Sequence, residues 1–177
     1  MEKLFSPWRS KYISSFAMED KDAPCVLCDQ YKSNDDEESL VVFRGRESFV
    51  LMNRFPYNSG HLMVIPVRHT SDFQSLTKTE MAETMELLSA SERALMELSH
   101  PQGFNIGMNI GRASGAGIDG HLHWHIVPRW NGDTNFMPIL AEVKIVSEDM
   151  AEQRRLLREI FPRSVRGVHF QSRSEVA

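Results

Sequence analysis

Three histidines at alternating positions form the chemically richest stretch of this 177-residue sequence. They are His121, His123 and His125, and they alternate with Leu122, Trp124 and Ile126. Successive side chains of a β-strand take opposite faces, so this spacing would place three imidazoles on one face and three apolar side chains on the other. An imidazole can act near neutral pH as a nucleophile, a proton carrier or a metal ligand. The alternative is a histidine-rich strand whose rings only make hydrogen bonds in the core or bind a metal adventitiously.

The segment His121-x-His123-x-His125-Ile-Val-Pro resembles the motif of the histidine-triad family of nucleotide hydrolases and transferases. Its continuation, Pro128-Arg129-Trp130-Asn-Gly-Asp133-Thr-Asn135-Phe136-Met137-Pro138, is similar to that of bacterial members akin to diadenosine-polyphosphate phosphorylases. The resemblance covers roughly residues 7–146. It implies the histidine-triad fold, with the triad on a central strand. It also implies a homodimer, because related proteins are commonly dimers.

The resemblance also implies a reaction. The middle histidine of the family attacks phosphorus, and that residue is His123 here, so a nucleotidyl-His123 intermediate would form at the α-phosphate of a nucleoside polyphosphate such as diadenosine tetraphosphate. His125 would contact phosphate or assist proton transfer. Water as the acceptor gives a hydrolase, and inorganic phosphate gives a phosphorylase. The open alternatives are a nucleoside phosphoramidase, a nucleotide-binding regulatory module with slow turnover, and a zinc-stabilised interaction protein.

A glycine-rich segment, residues 111–120, leads into the triad. It is rich in backbone N–H groups, which can bind phosphate. Taken alone, the segment would be interpreted as a flexible connector. The segment lacks the ending of a Walker motif. By resemblance, the residues that contact phosphate are Asn109, Ser114, Gly115 and Gly117.

Residues 51–61 resemble the family as well. Asn53 matches the position whose side chain holds the ribose hydroxyls, and an amide can both donate to and accept from a vicinal diol. The alternative for Asn53 is a turn residue at the end of a strand. His61 is interpreted as a structural histidine or one that supports another ring.

The pair Cys25-x-x-Cys28 can supply two ligands of a tetrahedral zinc site. A redox role is weaker because no clear crossover-helix pattern follows, and unmetallated thiols remain an alternative. By resemblance to zinc-bearing histidine-triad proteins, His69 is the third ligand and His121 the fourth. A closed set of four protein ligands leaves no position for water, so the zinc would be structural.

Composition sets the remaining limits. The net charge of −4 and a hydrophobic fraction of 41% are ordinary for one globular domain. The negative net charge argues against non-specific electrostatic binding to nucleic acid or to an anionic membrane. No apolar run has the length of a signal peptide core or a membrane span, so we expect a cytoplasmic protein. The predicted domain is residues 1–162, including an N-terminal zinc-binding arm, and residues 163–177 form a flexible tail.

The pattern of residues predicts an α+β fold, an antiparallel sheet of about five strands with a long helix and a C-terminal helix packed on it. Strands are expected at 40–43, 48–53, 61–66, 104–110, through the triad, and at 139–145. The long helix runs from about 78 to 99 and begins with a capping box at Thr77 and Glu80. Its apolar residues recur at helical spacing and are expected to form a buried stripe: Met81, Met85, Leu88, Leu95 and Leu98. The last helix is capped by Ser147 and ends before Pro162.

Overall fold

The computed structural model describes residues 24–33, 39–133 and 149–166. Its elements are helix α1 (Val26–Lys32), strands β1 (Val41–Arg44), β2 (Ser48–Met52) and β3 (Leu62–Pro66), helix α2 (Lys78–Ser99), strands β4 (Gly103–Met108) and β5 (Trp124–Arg129), and helix α3 (Met150–Ser164). Short 3-10 turns lie at Phe73–Ser75 and Arg112–Ser114. The predicted α+β class is therefore confirmed.

The five strands form one antiparallel sheet in the order β1-β2-β3-β5-β4. The register places Leu51 opposite Met63, Met63 opposite His125, and His125 opposite Gly107. Directly opposed residues of neighbouring strands point to the same face, so these four positions form a row across the sheet. That row is the floor of the site described below.

The two faces of the sheet have different coverings. Helices α2 and α3 pack on one face over a large apolar cluster that includes Leu122, Trp124 and Ile126. The short helix α1 packs on the other face, where Leu27 joins Phe49, Met63 and other apolar side chains of the sheet. The apolar residues of the triad segment thus face the main core, as the alternation predicts, and the imidazoles take the opposite side.

The long helix begins and ends as predicted, and both hydrogen bonds of the Thr77–Glu80 capping box are present. The prediction that its methionines are core residues is wrong, because Met81 is 40% and Met85 is 52% exposed. Leu88 and Leu95 of the same predicted stripe are buried, and they are joined in the core by Leu87 and Ala94. Apolar spacing alone left the choice between neighbouring stripes of the helix open.

Helix α3 departs from the prediction at both ends. Its N-terminal cap is the Asp149 carboxylate, which accepts hydrogen bonds from the backbone N–H groups of Ala151 and Glu152. The predicted cap, Ser147, lies outside the described residues. The helix also continues through Pro162 to Ser164. A proline in the last turn removes one helical hydrogen bond, and burial of Phe161 beside it favours continued helix.

Several predicted segments fall outside the described residues: most of the N-terminal arm, the strand at 139–145, and the tail from residue 167 onward. Strand β5 begins at Trp124, so His121 and His123 lie in the segment before it and only His125 belongs to the strand. No helix within the described ranges is both long and apolar enough to cross a membrane.

Candidate active site and metal centre

His123 lies at the entrance to β5 with its ring orientation determined by the backbone. Its Nδ1 is 2.8 Å from the carbonyl oxygen of His121. A carbonyl can only accept, so Nδ1 carries the proton and the lone pair of the neutral ring is on Nε2. The side chain is only 5% exposed, and it lines a cavity on the α1 side of the sheet. A neutral, buried imidazole with a free Nε2 lone pair has the chemistry of a nucleophile.

His125 is oriented by His61, which stands 64 residues earlier in the chain. The Nε2 of His61 lies 3.0 Å from the Nδ1 of His125. The Nδ1 of His61 accepts the backbone N–H of Tyr57 at 3.1 Å, so a neutral His61 carries its proton on Nε2 and donates it to His125. His125 in turn must carry its proton on Nε2. The two triad rings thus present opposite groups, a lone pair on His123 and an N–H donor on His125.

The loop that carries Tyr57 is itself tied to the end of β5. The Asn58 amide donates to the carbonyl oxygen of Pro128 at 3.0 Å and to the Asp133 carboxylate at 2.9 Å. Asp133 also accepts two hydrogen bonds from the Arg129 guanidinium, at 2.6 and 2.8 Å. The Arg-Trp-Asn-Gly-Asp segment therefore holds the loop that determines the tautomer of His61. Neither Asn58 nor Asp133 was predicted as a functional residue, because their contacts join segments about 70 residues apart.

The cavity beside His123 has a volume of about 220 Å³ and brings together most of the predicted nucleotide-binding residues. Asn53, Asn109, Gly115 and Gly117 line it together with His123 and His125. Ser114 is not among its lining residues in the described part of the chain, and its hydroxyl donates to the carbonyl oxygen of Gly111 at 2.7 Å. A second, wider cavity of about 450 Å³ lies on the other side of His125, with Arg129 and Asn105 in its wall.

Asn53 follows the end of β2 and takes part in a turn. Its side-chain oxygen accepts the backbone N–H of Phe55 at 2.9 Å, and its amide nitrogen lies 3.3 Å from the Nδ1 of His61. These contacts match the turn role that the sequence left open. They also orient the amide at the rim of the cavity that His123 lines.

The four predicted metal ligands come together between α1, the segment after β3 and the start of the triad. The ligand atoms of Cys25, Cys28, His69 and His121 all lie within 4.8 Å of one another. Both cysteine sulfurs are 3.4 to 3.5 Å from the Nδ1 of His121, and the Sγ of Cys28 is 3.4 Å from the Nδ1 of His69. Zinc bonds of about 2.3 Å to sulfur and 2.0 to 2.1 Å to nitrogen at tetrahedral angles place these atoms about 3.5 Å apart. The residues therefore fit a zinc ion.

The far side of His121 supports the same assignment. Its Nε2 donates to the carbonyl oxygen of Pro66 at 2.9 Å, which leaves the Nδ1 lone pair facing the cysteines. Burial, followed by the neighbouring Cys25 thiol, raises the pKa of Cys28 to about 11. A bound divalent cation acts in the opposite direction, because it stabilises the thiolate.

Burial keeps the triad rings neutral. It is the largest cause of the lowered pKa of His123, of the pKa of about 4 at His125, and of the pKa of about 4 at His121. Repulsion by a protonated His123 ring lowers the pKa of His125 further. Neutral rings are required both for an attacking lone pair and for a metal ligand.

The comparisons with known proteins agree with this geometry. Residues 34–132 match the model of the HIT domain family. The chain is 37% identical over 161 residues to the AP-4-A phosphorylase of Mycobacterium tuberculosis, covering 89% of this chain and 83% of that protein. Among solved structures, a zinc-bound histidine triad family protein from Mycobacterium smegmatis superposes with a TM-score of 0.63 at 27% identity, covering 78% of this chain and 94% of that one. A histidine triad nucleotide-binding protein from Sulfolobus tokodaii gives 0.58 at 27% identity, with 79% and 91% covered.

The chain therefore belongs to the HIT domain family. Its likeness to the mycobacterial phosphorylase over most of both chains supports a nucleotide-processing enzymatic role.

Proposed function

We propose that the protein transfers a nucleotidyl group from a nucleoside polyphosphate, such as diadenosine tetraphosphate, through a covalent bond to His123. The observation that carries the proposal is the hydrogen bond from His123 Nδ1–H to the His121 carbonyl, which leaves a lone pair on Nε2 in a cavity shared with His125 and Asn53. The likeness to AP-4-A phosphorylase supports the choice of substrate.

In the first step the Nε2 lone pair of His123 attacks the α-phosphorus and forms a P–N bond. The bond from phosphorus to the bridging oxygen breaks, and its electron pair leaves with that oxygen. His125 offers its Nε2–H to this oxygen as negative charge develops there, because His61 holds the other ring nitrogen as an acceptor. In the second step an acceptor oxygen attacks phosphorus, and the electron pair of the P–N bond returns to His123. If the acceptor is water, the proton on its oxygen is released to solvent.

The remaining roles follow from the lining of the cavity. Backbone N–H groups around Gly115 and Gly117 are the proposed phosphate contacts, together with Asn109, and Ser114 would support the loop through its bond to Gly111. Asn53 is proposed to bind the ribose diol. Its side-chain oxygen has a second lone pair and its amide nitrogen a second N–H, in addition to those used in the turn. The four-ligand cluster is proposed to hold a structural zinc ion, because it offers no position for water.

The homodimer and the cytoplasmic location belong to the same proposal. Strand β4 lies at the edge of the sheet formed by the described residues, and Ile106 on it is 52% exposed. An edge strand has unpaired backbone groups, so we propose that this edge pairs with a second copy. Light scattering coupled to size-exclusion chromatography measures the mass. A single-chain mass at micromolar concentration would contradict the dimer.

The test of the function is one incubation of zinc-loaded protein with diadenosine tetraphosphate, with and without radiolabelled inorganic phosphate. A phosphorylase produces ATP and ADP, and the label is found in the β-phosphate of ADP. A hydrolase produces ATP and AMP whether or not phosphate is present. Absence of turnover under both conditions, or equal turnover by the His123→Ala variant, would contradict the proposed function.

A further inference from the structure

Helix α1 contributes to two sites at once. Its first turn carries the metal ligands Cys25 and Cys28, with Cys25 as the N-cap. Between them stand Val26 and Leu27, which line the cavity that also contains His123. The same short piece of chain is therefore one side of the metal cluster and one wall of the nucleotide cavity.

The two ends of α1 are held by different means. At its C-terminal end, the Arg44 guanidinium donates to the carbonyl oxygens of Tyr31 and Ser33, and the side-chain oxygen of Gln30 accepts the backbone N–H of Leu40. At its N-terminal end, Cys25 makes no side-chain cap hydrogen bond. A seven-residue helix is marginal by itself, so its first turn depends on the cluster and on burial of Leu27.

The wall formed by this turn is apolar. Leu51, Met63 and Ile118 line the same cavity as Val26 and Leu27, and they surround the part of it formed by α1 and the sheet. This inference rests on the proposed function, in which the α-phosphate is at His123 and the ribose at Asn53. The nucleobase is then the part of the ligand left to contact this apolar wall. A nucleobase presents flat apolar faces to such a wall.

We propose that metal binding and nucleotide binding are linked through the first turn of α1, because a metal ion held by the four-residue cluster keeps Val26 and Leu27 against the nucleobase. Loss of the metal frees this turn, and the affinity for nucleotides falls through the base. A ligand that has the ribose and phosphate without the base is not affected. Linkage is reciprocal, so a bound nucleotide must raise the affinity for the metal by the same factor.

The experiment measures the affinities of AMP and of ribose 5-phosphate by calorimetry in zinc-loaded and in metal-free protein. We expect removal of zinc to raise the Kd of AMP about tenfold and that of ribose 5-phosphate less than about threefold. Zinc affinity, measured by competition with a chelating dye, should rise about tenfold when AMP is saturating. Circular dichroism and thermal melting show whether the metal-free protein remains folded.

A second variant keeps the test valid if the metal-free protein unfolds. Val26 is 49% exposed, so Val26→Ala in zinc-loaded protein should leave the fold and the zinc content unchanged. We expect it to weaken AMP roughly threefold to fivefold and to leave ribose 5-phosphate unchanged. The matched control is Met85→Ala, an exposed apolar residue of α2 on the other side of the sheet, which should change neither affinity.

The outcomes separate this inference from the proposed function. Equal affinity for AMP in folded zinc-loaded and metal-free protein would overturn the linkage, and so would a Val26→Ala variant that binds AMP like wild type. A failure of zinc-loaded wild type to bind AMP at all would contradict the proposed function itself. Parallel weakening of AMP and ribose 5-phosphate would overturn the role of the base wall.

Discussion

The Nε2 of His61 lies 3.0 Å from the Nδ1 of His125, and this contact determines which group His125 presents to the cavity. Tyr57 donates its backbone N–H to the Nδ1 of His61. The proton of His61 is therefore on Nε2, which donates it to the Nδ1 of His125. His123 is oriented separately, by the His121 carbonyl. Two adjacent histidines of one motif thus have opposite tautomers for identifiable reasons.

Replacement of His123 by Ala should abolish nucleotidyl transfer, with a loss of at least about a thousandfold in kcat, because the covalent route needs its Nε2 lone pair. The measurement is turnover of diadenosine tetraphosphate. His100→Asn is the matched control, since His100 is an exposed residue that ends α2 in a left-handed conformation that Asn tolerates. If His123→Ala kept more than about a tenth of the activity, a barrier change of only about 1.4 kcal/mol, the covalent mechanism would be wrong.

The tautomers can be observed directly by two-bond ¹⁵N–¹H correlation spectra of the histidine rings. We expect the Nδ1–H form for His123 and the Nε2–H form for His61 and His125. His61→Ala should give His125 a mixture of both forms and lower kcat roughly tenfold or more. His61→Gln, whose amide can still donate to His125, should restore part of kcat. An Nδ1–H form of His125 in wild type would contradict the proposed direction of the hydrogen bonds.

Stability should fall with acid because of His125. Burial, and then repulsion by a protonated His123 ring, lower the pKa of His125 from 6.5 to about 4 in the folded protein. Between these values the unfolded chain binds a proton that the folded protein does not, so the free energy of unfolding decreases as pH falls from 6.5 to 4, by up to about 1.4 kcal/mol per pH unit. Urea denaturation from pH 4 to 8 measures this slope. The His125→Gln variant should lack the part of the slope that comes from His125. An identical slope in both proteins would refute the assignment.

The pH dependence of activity should also reflect the burial of a triad histidine, in this case His123. Burial lowers the pKa of His123, so its lone pair remains available below the usual range of histidine. We expect the acid limb of kcat/KM to lie below pH 6.5. A limb above that value would mean that another group controls the attack.

Purified protein should carry close to one equivalent of zinc per chain, measured by elemental analysis. Cys28→Ser should lower the melting temperature more than it changes kcat at saturating substrate, because a closed four-ligand site contributes directly to folding free energy and does not touch the reacting atoms. Protein that has never met a chelator and contains no metal would refute this prediction.

Asn53→Ala should weaken AMP roughly tenfold, because one or two buried hydrogen bonds to the ribose diol are lost at about 1 kcal/mol each. The test compares AMP with its 2′,3′-dideoxy analogue in both proteins. Wild type should prefer AMP, and the variant should hardly distinguish the two. An unchanged preference in the variant would leave Asn53 with only its turn role toward Phe55 and His61.

Much of the site could be predicted because the relevant patterns are local. Alternation in residues 121–126 placed the apolar side chains against the core and the imidazoles on the other face. The Thr77–Glu80 capping box marked the start of α2. The stripe that α2 buries was predicted wrongly at Met81 and Met85, because the rotation of a helix on a sheet depends on the partner surface.

The sequence by itself determined the class of fold, the start and end of the long helix, and the residue types able to attack phosphorus or bind zinc. Only the tertiary structure decided that His61 faces His125, that Asn58 and Asp133 hold the loop between them, and that α1 lies against both the metal cluster and the cavity. The reason is physical. A tautomer depends on which donor or acceptor lies within about 3 Å of each ring nitrogen. The partner of His123 is the nearby His121 carbonyl, but the partner of His125 is His61, which directly precedes β3 and comes close only because β3 pairs with β5.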